Sequence, residues 1–260
     1  MKLCHENRML RNTAHFWYNS NIQWGRVTLM TDDVLALKQK AADIAVEYVQ
    51  PGMILGLGSG STATLAVRRI GERLRAGLLH DILGVPCSNL TRQEALQAGI
   101  PLTTLEEHPV IDLTIDGADE VDPVLNLIKG GGGALLQEKI VAQATRREII
   151  IVDESKLSPM LGTQWAVPVE VIPFGWGPQA AFLRSLGAQV TLRMNKDGSI
   201  YKTDQGNLIL DCNFGPIADT EALAGRMKTR TGVVEHGLFL GLTSEVIVAG
   251  QNGFRHLTRK

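Results

Sequence analysis

Cysteine is scarce in this chain of 260 residues, and Cys4, Cys87 and Cys212 are odd in number and far apart. A disulfide framework is therefore excluded as the source of stability, and a reducing cytoplasm is the expected compartment. The six histidines are scattered too, and no HxxxH or CxxC pair offers metal-ligand spacing, so no metal is expected. Net charge is only −1, which removes any global attraction to nucleic acid or to an anionic membrane. No apolar run approaches the roughly 18 residues of a membrane span. An anionic small-molecule partner must be held by local groups. What the chain does have is glycine, 27 of them, several gathered into two dense runs.

The first thirty residues lack helical or strand periodicity and have no apolar core of a secretory signal. They read as a leader, disordered or lying upstream of a start near Met30. From Thr31 the pattern is regular. Thr31, Asp32 and Asp33 offer N-caps for a helix to about Val49, with Val34, Leu37, Ala41, Ile44, Ala45 and Tyr48 at helical spacing. Apolar runs at 53–57, 82–85, 111–115 and 149–152 lack alternation, as buried parallel strands do. Helical stretches lie between them, so an α/β, Rossmann-like, mostly parallel sheet is expected. From about residue 162 short strands at 167–172, 189–192, 200–202 and 208–212 interleave with helices at 178–186 and 219–230. Hairpin turns are signalled at 195–198 and 204–207. This second texture predicts an inserted α+β unit of ferredoxin-like type. The expected division is a leader over 1–30, a catalytic unit over 31–161 and 238–260, and a small unit over 162–237.

Four motifs carry chemistry. Gly56, Gly58 and Gly60, followed by Ser61 and Thr62, form a strand-to-helix turn whose free amides and hydroxyls suit a phosphate. A dinucleotide fingerprint is disfavoured, because Ser61 stands at the third glycine and no acid ends the next strand. Asp116 and Asp119 flank Gly117 and Ala118, and two carboxylates this close push one pKa upward. Glu120 and Asp122 beside them read as a solvated turn cap. Lys129 precedes four glycines, Gly130 to Gly133, whose amides offer an oxyanion site. Glu138 falls in the following helix, about 100° from a polar face expected to hold Lys139, Gln143 and Arg146. Lys156 follows another strand-like run. In an open parallel sheet the loops after Ser59, Asp116 and Lys156 converge on one crevice.

This ordered string resembles the type A ribose-5-phosphate isomerases. The matching stretches are Tyr48-Val49-Gln50-Pro51-Gly52, Gly58-Ser59-Gly60-Ser61-Thr62, Asp116-Gly117-Ala118-Asp119-Glu120, Lys129-Gly130-Gly131-Gly132, Glu138-Lys139, Asp153-Glu154-Ser155-Lys156 and Pro168-Val169-Glu170-Val171-Ile172-Pro173. Similarity continues through Gly232-Val233-Val234 and Gly237-Leu238-Phe239. Ser59 stands where the family often has Thr, and the residues before Met30 have no counterpart. The resemblance implies a homodimer or homotetramer that interconverts D-ribose 5-phosphate and D-ribulose 5-phosphate without cofactor. It implies Glu138 as the base. Lys38, Ser59, Gly60, Ser61, Thr62, Asp116, Gly117, Ala118, Asp119, Lys129, Gly130, Gly131, Gly132 and Lys156 are implied as substrate-binding residues.

The expected chemistry is sugar-ring opening assisted by Asp116 or Asp119, followed by proton transfer at C2 and C1 by Glu138. The enediolate would rest on glycine amides with Lys129 or Lys156. Three rivals come from other classes. A sugar-phosphate sensor would need a DNA-binding unit, which thirty residues without helical periodicity do not provide. A coenzyme A transferase would use a glutamate as nucleophile and leave a trappable thioester. An NAD-dependent oxidoreductase would need the missing ribose acid. Turnover of ribose 5-phosphate with a chelator and no added cofactor separates all three from the isomerase.

Overall fold

The computed structural model describes the backbone of residues 23–250 and 253–259, with side chains from residue 35. Helix α1 spans Gln23–Val46. The expected caps Thr31, Asp32 and Asp33 thus lie inside it, because no proline or glycine pair interrupts residues 26–33 and the helix continues backward through them. Residues 1–22 of the expected leader lie outside the described residues. The helix stops at Val46, after which Tyr48 and Val49 donate to Ala45 and Val46 in a tightened last turn.

The large sheet is built from β1 (Ile54–Leu57), β2 (Leu83–Pro86), β3 (Leu113–Asp116), β6 (Glu148–Asp153), β12 (Glu245–Gly250) and β13 (Gly253–Thr258). Between β3 and β6 lie two short strands, β4 (Glu120–Val121) and β5 (Leu127–Ile128). The strand order is β13-β12-β6-β3-β1-β2, with all neighbours parallel except the last hairpin, β12 with β13. The four residues of β3 and the six of β6 are buried throughout, polar Thr114, Asp116, Glu148 and Asp153 included, as strands covered on both faces are. Helices α2 (Ser61–Arg75), α3 (Asn89–Ala98) and α4 (Leu135–Gln143) connect them. On α2, Ala63, Ala66, Val67 and Ile70 are buried at helical spacing, and Arg73 and Arg75 sit at its negative end. Ser88 caps α3 through the Thr91 amide at 3.0 Å, and Gly99 closes it in the left-handed conformation.

The second sheet contains β7 (Val167–Val171), β8 (Gln189–Leu192), β9 (Leu208–Asn213) and β10 (Val233–His236), with α5 (Trp176–Ser185) and α6 (Thr220–Lys228) between them. Its order, β10-β7-β9-β8, is antiparallel throughout. Chain order β-α-β-β-α-β with that pairing is the ferredoxin-like arrangement expected from the hairpin signals. The expected strand at 200–202 does not form, and only Ile200 makes a bridge, to Met194. Turns at 195–199 and 203–207 crowd it from both sides, leaving too few residues for a ladder. The short strand β11 (Leu238–Phe239) joins β5 and β4 in a third, three-stranded sheet. Among the described residues no helix is long and apolar enough to cross a membrane.

Strand order reverses between β1, which continues outward to β2, and β3, which continues toward β6. In open sheets that reversal opens a crevice at the carboxyl ends of the strands. Gly58 lets the two loops meet there, because a Cβ on it would lie within 2.5 Å of the Cα and carboxylate of Asp116. Gly58→Ala is expected to destabilise the protein by about 1–3 kcal/mol through overpacking against backbone. Gly225→Ala, in α6 with open space around it, is expected to stabilise by about 0.5–1 kcal/mol through helix propensity. Thermal or denaturant unfolding of the two variants should show opposite signs, and equal shifts would contradict the close approach at Gly58.

Candidate active site

At that crevice a cleft of about 120 Å³ is lined by Lys38, Ser59, Gly60, Ser61, Thr62, Gly117, Ala118, Asp119, Lys129, Gly130, Gly131, Gly132, Glu138 and Lys156. Such a volume, against the roughly 300–1,000 Å³ of drug-sized pockets, suits a small polar molecule and is too small for a dinucleotide. The structure therefore brings together every residue expected from sequence, and all but Asp116, which is buried against Lys129, line the cleft.

One end of the cleft is the start of α2. Gly60, with φ of 95°, turns the chain so that the first amides of the helix, which have no intrahelical acceptors, face the opening. Lys38 reaches across from α1 and donates to Ser61 Oγ at 3.1 Å. Free amides, two hydroxyls and an ammonium together make an anion site.

The other end is built on a buried cation. Lys129, only 2% exposed, places Nζ 2.9 Å from Asp116 Oδ2, 3.2 Å from Glu138 Oε1 and 2.6 Å from the Gly117 carbonyl oxygen. Burial alone would depress its pKa, but the Asp116 and Glu138 carboxylates hold it above the ordinary lysine value. Asp116, 1% exposed, is fully engaged, because its Oδ1 also accepts the amides of Ser59 at 3.0 Å and Gly117 at 2.7 Å. That network is why Asp116 does not face the cleft and Asp119 does. Asp119 in turn accepts the Gly131 amide at 2.7 Å.

Glu138 is 6% exposed, and burial pushes its carboxyl up to about 8, with Lys129 opposing and Asp116 and Asp119 adding to the rise. Its second oxygen, Oε2, is buried with no hydrogen-bond partner among the described residues. A carboxylate with one oxygen pinned to a lysine and the other unpaired at a cleft is poised to exchange protons.

Two neighbours, Lys139 and Glu120, depart from the sequence expectation. Lys139 is buried rather than on a polar face, donating to Glu235 Oε1 at 2.8 Å and to the His236 carbonyl beside the Phe239 ring. The outward face of α4 carries Ile140 instead, since the third sheet and β10 cover the side that bears Lys139. Glu120 is fully buried, not solvated, and accepts the amides of Gly162, Gln164 and Trp165 at 2.9–3.2 Å. Asp122 behaves as a turn cap, accepting from Val124 and Asn126. Trp165, delivered by the loop that Glu120 holds, lies under Lys156 with Nζ 5.0 Å from the ring centre. No periodicity marked Trp165, because it sits in an irregular segment. Among the described residues no cluster of histidine, cysteine and carboxylates could hold a metal.

The model of the family described as ribose 5-phosphate isomerase A (phosphoriboisomerase A) matches residues 83–253. A protein named ribose-5-phosphate isomerase A from Chloroflexus aurantiacus is 59% identical over 221 residues, spanning 85% of this chain and 92% of its own length. A solved ribose 5-phosphate isomerase from Plasmodium falciparum is 42% identical with a TM-score of 0.84, covering 87% of this chain and 99% of its own. A solved D-ribose-5-phosphate isomerase in complex with phospho-erythronic acid is 39% identical with a TM-score of 0.85, at the same coverages.

If turnover depends on Glu138, its raised pKa sets the direction of the pH response. The proton must leave Glu138 before it can accept another, so activity is lost as pH falls through the folded pKa. The acid limb of kcat/KM is expected well above the ordinary 4.5, toward 8. A profile that stays flat down to pH 5 would show that no buried carboxyl of this kind controls turnover.

Proposed function

The chain belongs to the ribose 5-phosphate isomerase A family, and from that premise we propose that Glu138 is the base of its reversible isomerisation of D-ribose 5-phosphate and D-ribulose 5-phosphate, a step of the non-oxidative pentose phosphate pathway. The observation that carries the assignment is the unpaired, buried Oε2 of Glu138 at the cleft, with its partner oxygen held by Lys129.

The phosphate sits at the start of α2, between the Ser61 and Thr62 amides and hydroxyls and Lys38. Asp119 faces the sugar and assists ring opening, whereas Asp116 spends its oxygens on Lys129 and on backbone amides. Glu138 removes the proton from C2 of the open aldose and delivers it to C1 while the O2 hydroxyl proton passes to O1, giving the ketose, and the reverse order serves the return reaction. One carboxylate suffices because the two carbons are adjacent and the proton stays on the same group between steps.

The enediolate needs donors of its own. An ammonium has three N–H donors, and those of Lys129 are directed at Gly117, Asp116 and Glu138. Lys129 therefore orients and tunes the base, and the developing charge falls to the Gly132 amide of the glycine turn and to Lys156. Among the described residues Lys156 has no carboxylate partner, which leaves its charge available to substrate. Each preorganised donor of this kind is worth about 3–4 kcal/mol of barrier.

The chain works as two units, residues 162–237 carrying the small sheet and the remainder, from Gln23 where α1 begins, carrying the cleft. A homodimer or homotetramer in the cytoplasm completes the proposal. Cys87 and Cys212, buried as free thiols, are compatible with that reducing compartment, and light scattering on the purified protein reads the assembly.

Glu138→Gln keeps shape and removes basicity, so kcat is expected to fall by about 10²–10⁴ with KM nearly unchanged. Turnover near the parental rate would place the base elsewhere. Phospho-erythronic acid carries a phosphate and a carboxylate on a short carbon chain, and it should compete with ribose 5-phosphate. Its affinity for Glu138→Gln should stay within a few fold of parental, and non-competitive inhibition would remove the sugar phosphate from this cleft.

A further inference from the structure

The turn of four glycines is gripped from outside the large sheet. Arg193 follows β8, and its guanidinium is fixed by Asp211 of β9, with Nε 2.9 Å from Oδ2 and Nη2 2.5 Å from Oδ1. That bidentate pair leaves Nη1 to donate to two consecutive carbonyls, Gly130 at 2.8 Å and Gly131 at 3.0 Å. Tyr201 lies across the hairpin from Arg193, its amide donating to the Arg193 carbonyl. Its hydroxyl donates to the third carbonyl, Gly132, at 3.2 Å. Space for Tyr201 exists only because residue 133 is glycine, since a Cβ there would lie 2.1 Å from the phenol oxygen.

In a planar trans peptide the carbonyl of one residue and the amide of the next point in opposite directions. Holding the Gly130 carbonyl toward the small sheet therefore aims the Gly131 amide the other way, where it meets Asp119 Oδ2 at 2.7 Å. Holding the Gly131 carbonyl aims the Gly132 amide into the cleft that Gly132 lines, and among the described residues that amide has no acceptor. Holding the Gly132 carbonyl aims the Gly133 amide back at Gly130, where a 3.0 Å bond closes the turn. Glycine has too much backbone freedom to keep such orientations unaided.

We propose that Arg193 and Tyr201 are positioning residues for the isomerisation: by gripping three successive carbonyls they turn the Gly132 amide, and the Asp119 carboxylate held by the Gly131 amide, toward the reacting sugar. Neither side chain lines the cleft, so they act through the turn and not on substrate. The phosphate end, built on α1 and α2, is outside their reach. The proposal rests on the isomerase assignment above and adds which residues of the small sheet that activity depends on.

The test compares Arg193→Met, Arg193→Lys and Tyr201→Phe with the parent, reading kcat, KM and inhibition by two probes. A misplaced turn should cost Arg193→Met about 10–100-fold in kcat with KM little changed. Arg193→Lys, which keeps charge but loses the fork, should recover only part of this. Tyr201→Phe should lose about threefold, one hydrogen bond's worth. Phospho-erythronic acid, which spans both ends of the cleft, should weaken in step with kcat, while inorganic phosphate should inhibit all variants as it does the parent. Parental kcat and phospho-erythronic acid affinity in Tyr201→Phe and either Arg193 variant, with only a lowered Tm, would reduce the pair to a structural staple and overturn the proposal. Equal loss of both probes would also overturn it, by showing that the whole cleft had collapsed. If Arg193→Met does not fold, Arg193→Lys and Tyr201→Phe decide by the same criteria. A parent that fails to turn over ribose 5-phosphate would sink the isomerase assignment itself, whereas an active parent with indifferent variants sinks only the grip.

Discussion

An ammonium buried where three loops meet must have a partner for each of its protons, and Lys129 has them in Asp116, Glu138 and the Gly117 carbonyl. Taking an ion out of water costs several kcal/mol, and removing one partner of a buried pair costs about 3–5 kcal/mol because the other charge is stranded. Lys129 therefore fixes more than its own position. It ties the loop after β3 to the head of α4, and through Asp116 Oδ1 it also holds the loop after β1. With both carboxylates ionised the three groups would sum to one negative charge in a dry setting. Raising the Glu138 pKa relieves that imbalance, and the same rise brings the carboxyl near the pH where a base exchanges protons fastest.

The arrangement has a cost in stability whose sign can be stated. A folded pKa above the unfolded value means the native state binds the proton more tightly. Glu138 therefore contributes its full stability below pH 4.5, and that contribution is lost as pH rises toward 8. Working conditions lie inside that window, so the site sacrifices some native stability to keep a carboxyl that can release its proton. Support comes from both sides. The large sheet supplies the converging strand ends at its reversal point, and the small sheet reaches the glycine turn through Arg193 and Tyr201.

Legibility in the sequence followed how local the cause was. Buried parallel strands, the ferredoxin-like unit and the loops after β1 and β3 were readable, since apolar runs, turn glycines and capping residues act over a few positions. Glu138 was readable as a functional carboxylate only together with the motifs around it, since the helix angle was measured from a face that wrongly included Lys139. Lys139 was not, because its partners Glu235 and His236 come from about a hundred residues away in sequence and cover a face that looked polar. Glu120 misled for the same reason, its three amide partners arriving with the loop at 162–165. The role of Asp116 as support and of Asp119 as the cleft-facing acid could not be separated by spacing, since the choice depends on where Lys129 lies. Helix α1 was placed too short because capping residues signal a start only when the preceding chain is not already helical.

Solvent exchange tests the central claim most directly, because it follows the proton itself. With the parent protein in D₂O, NMR of the sugar phosphates should show deuterium entering C1 of ribulose 5-phosphate and C2 of ribose 5-phosphate as equilibrium is reached. Glu138→Gln, shown to bind phospho-erythronic acid, should lose exchange and isomerisation together. Deuterium entering at the parental rate in that variant would contradict the account, since the proton would then be moving through some other group.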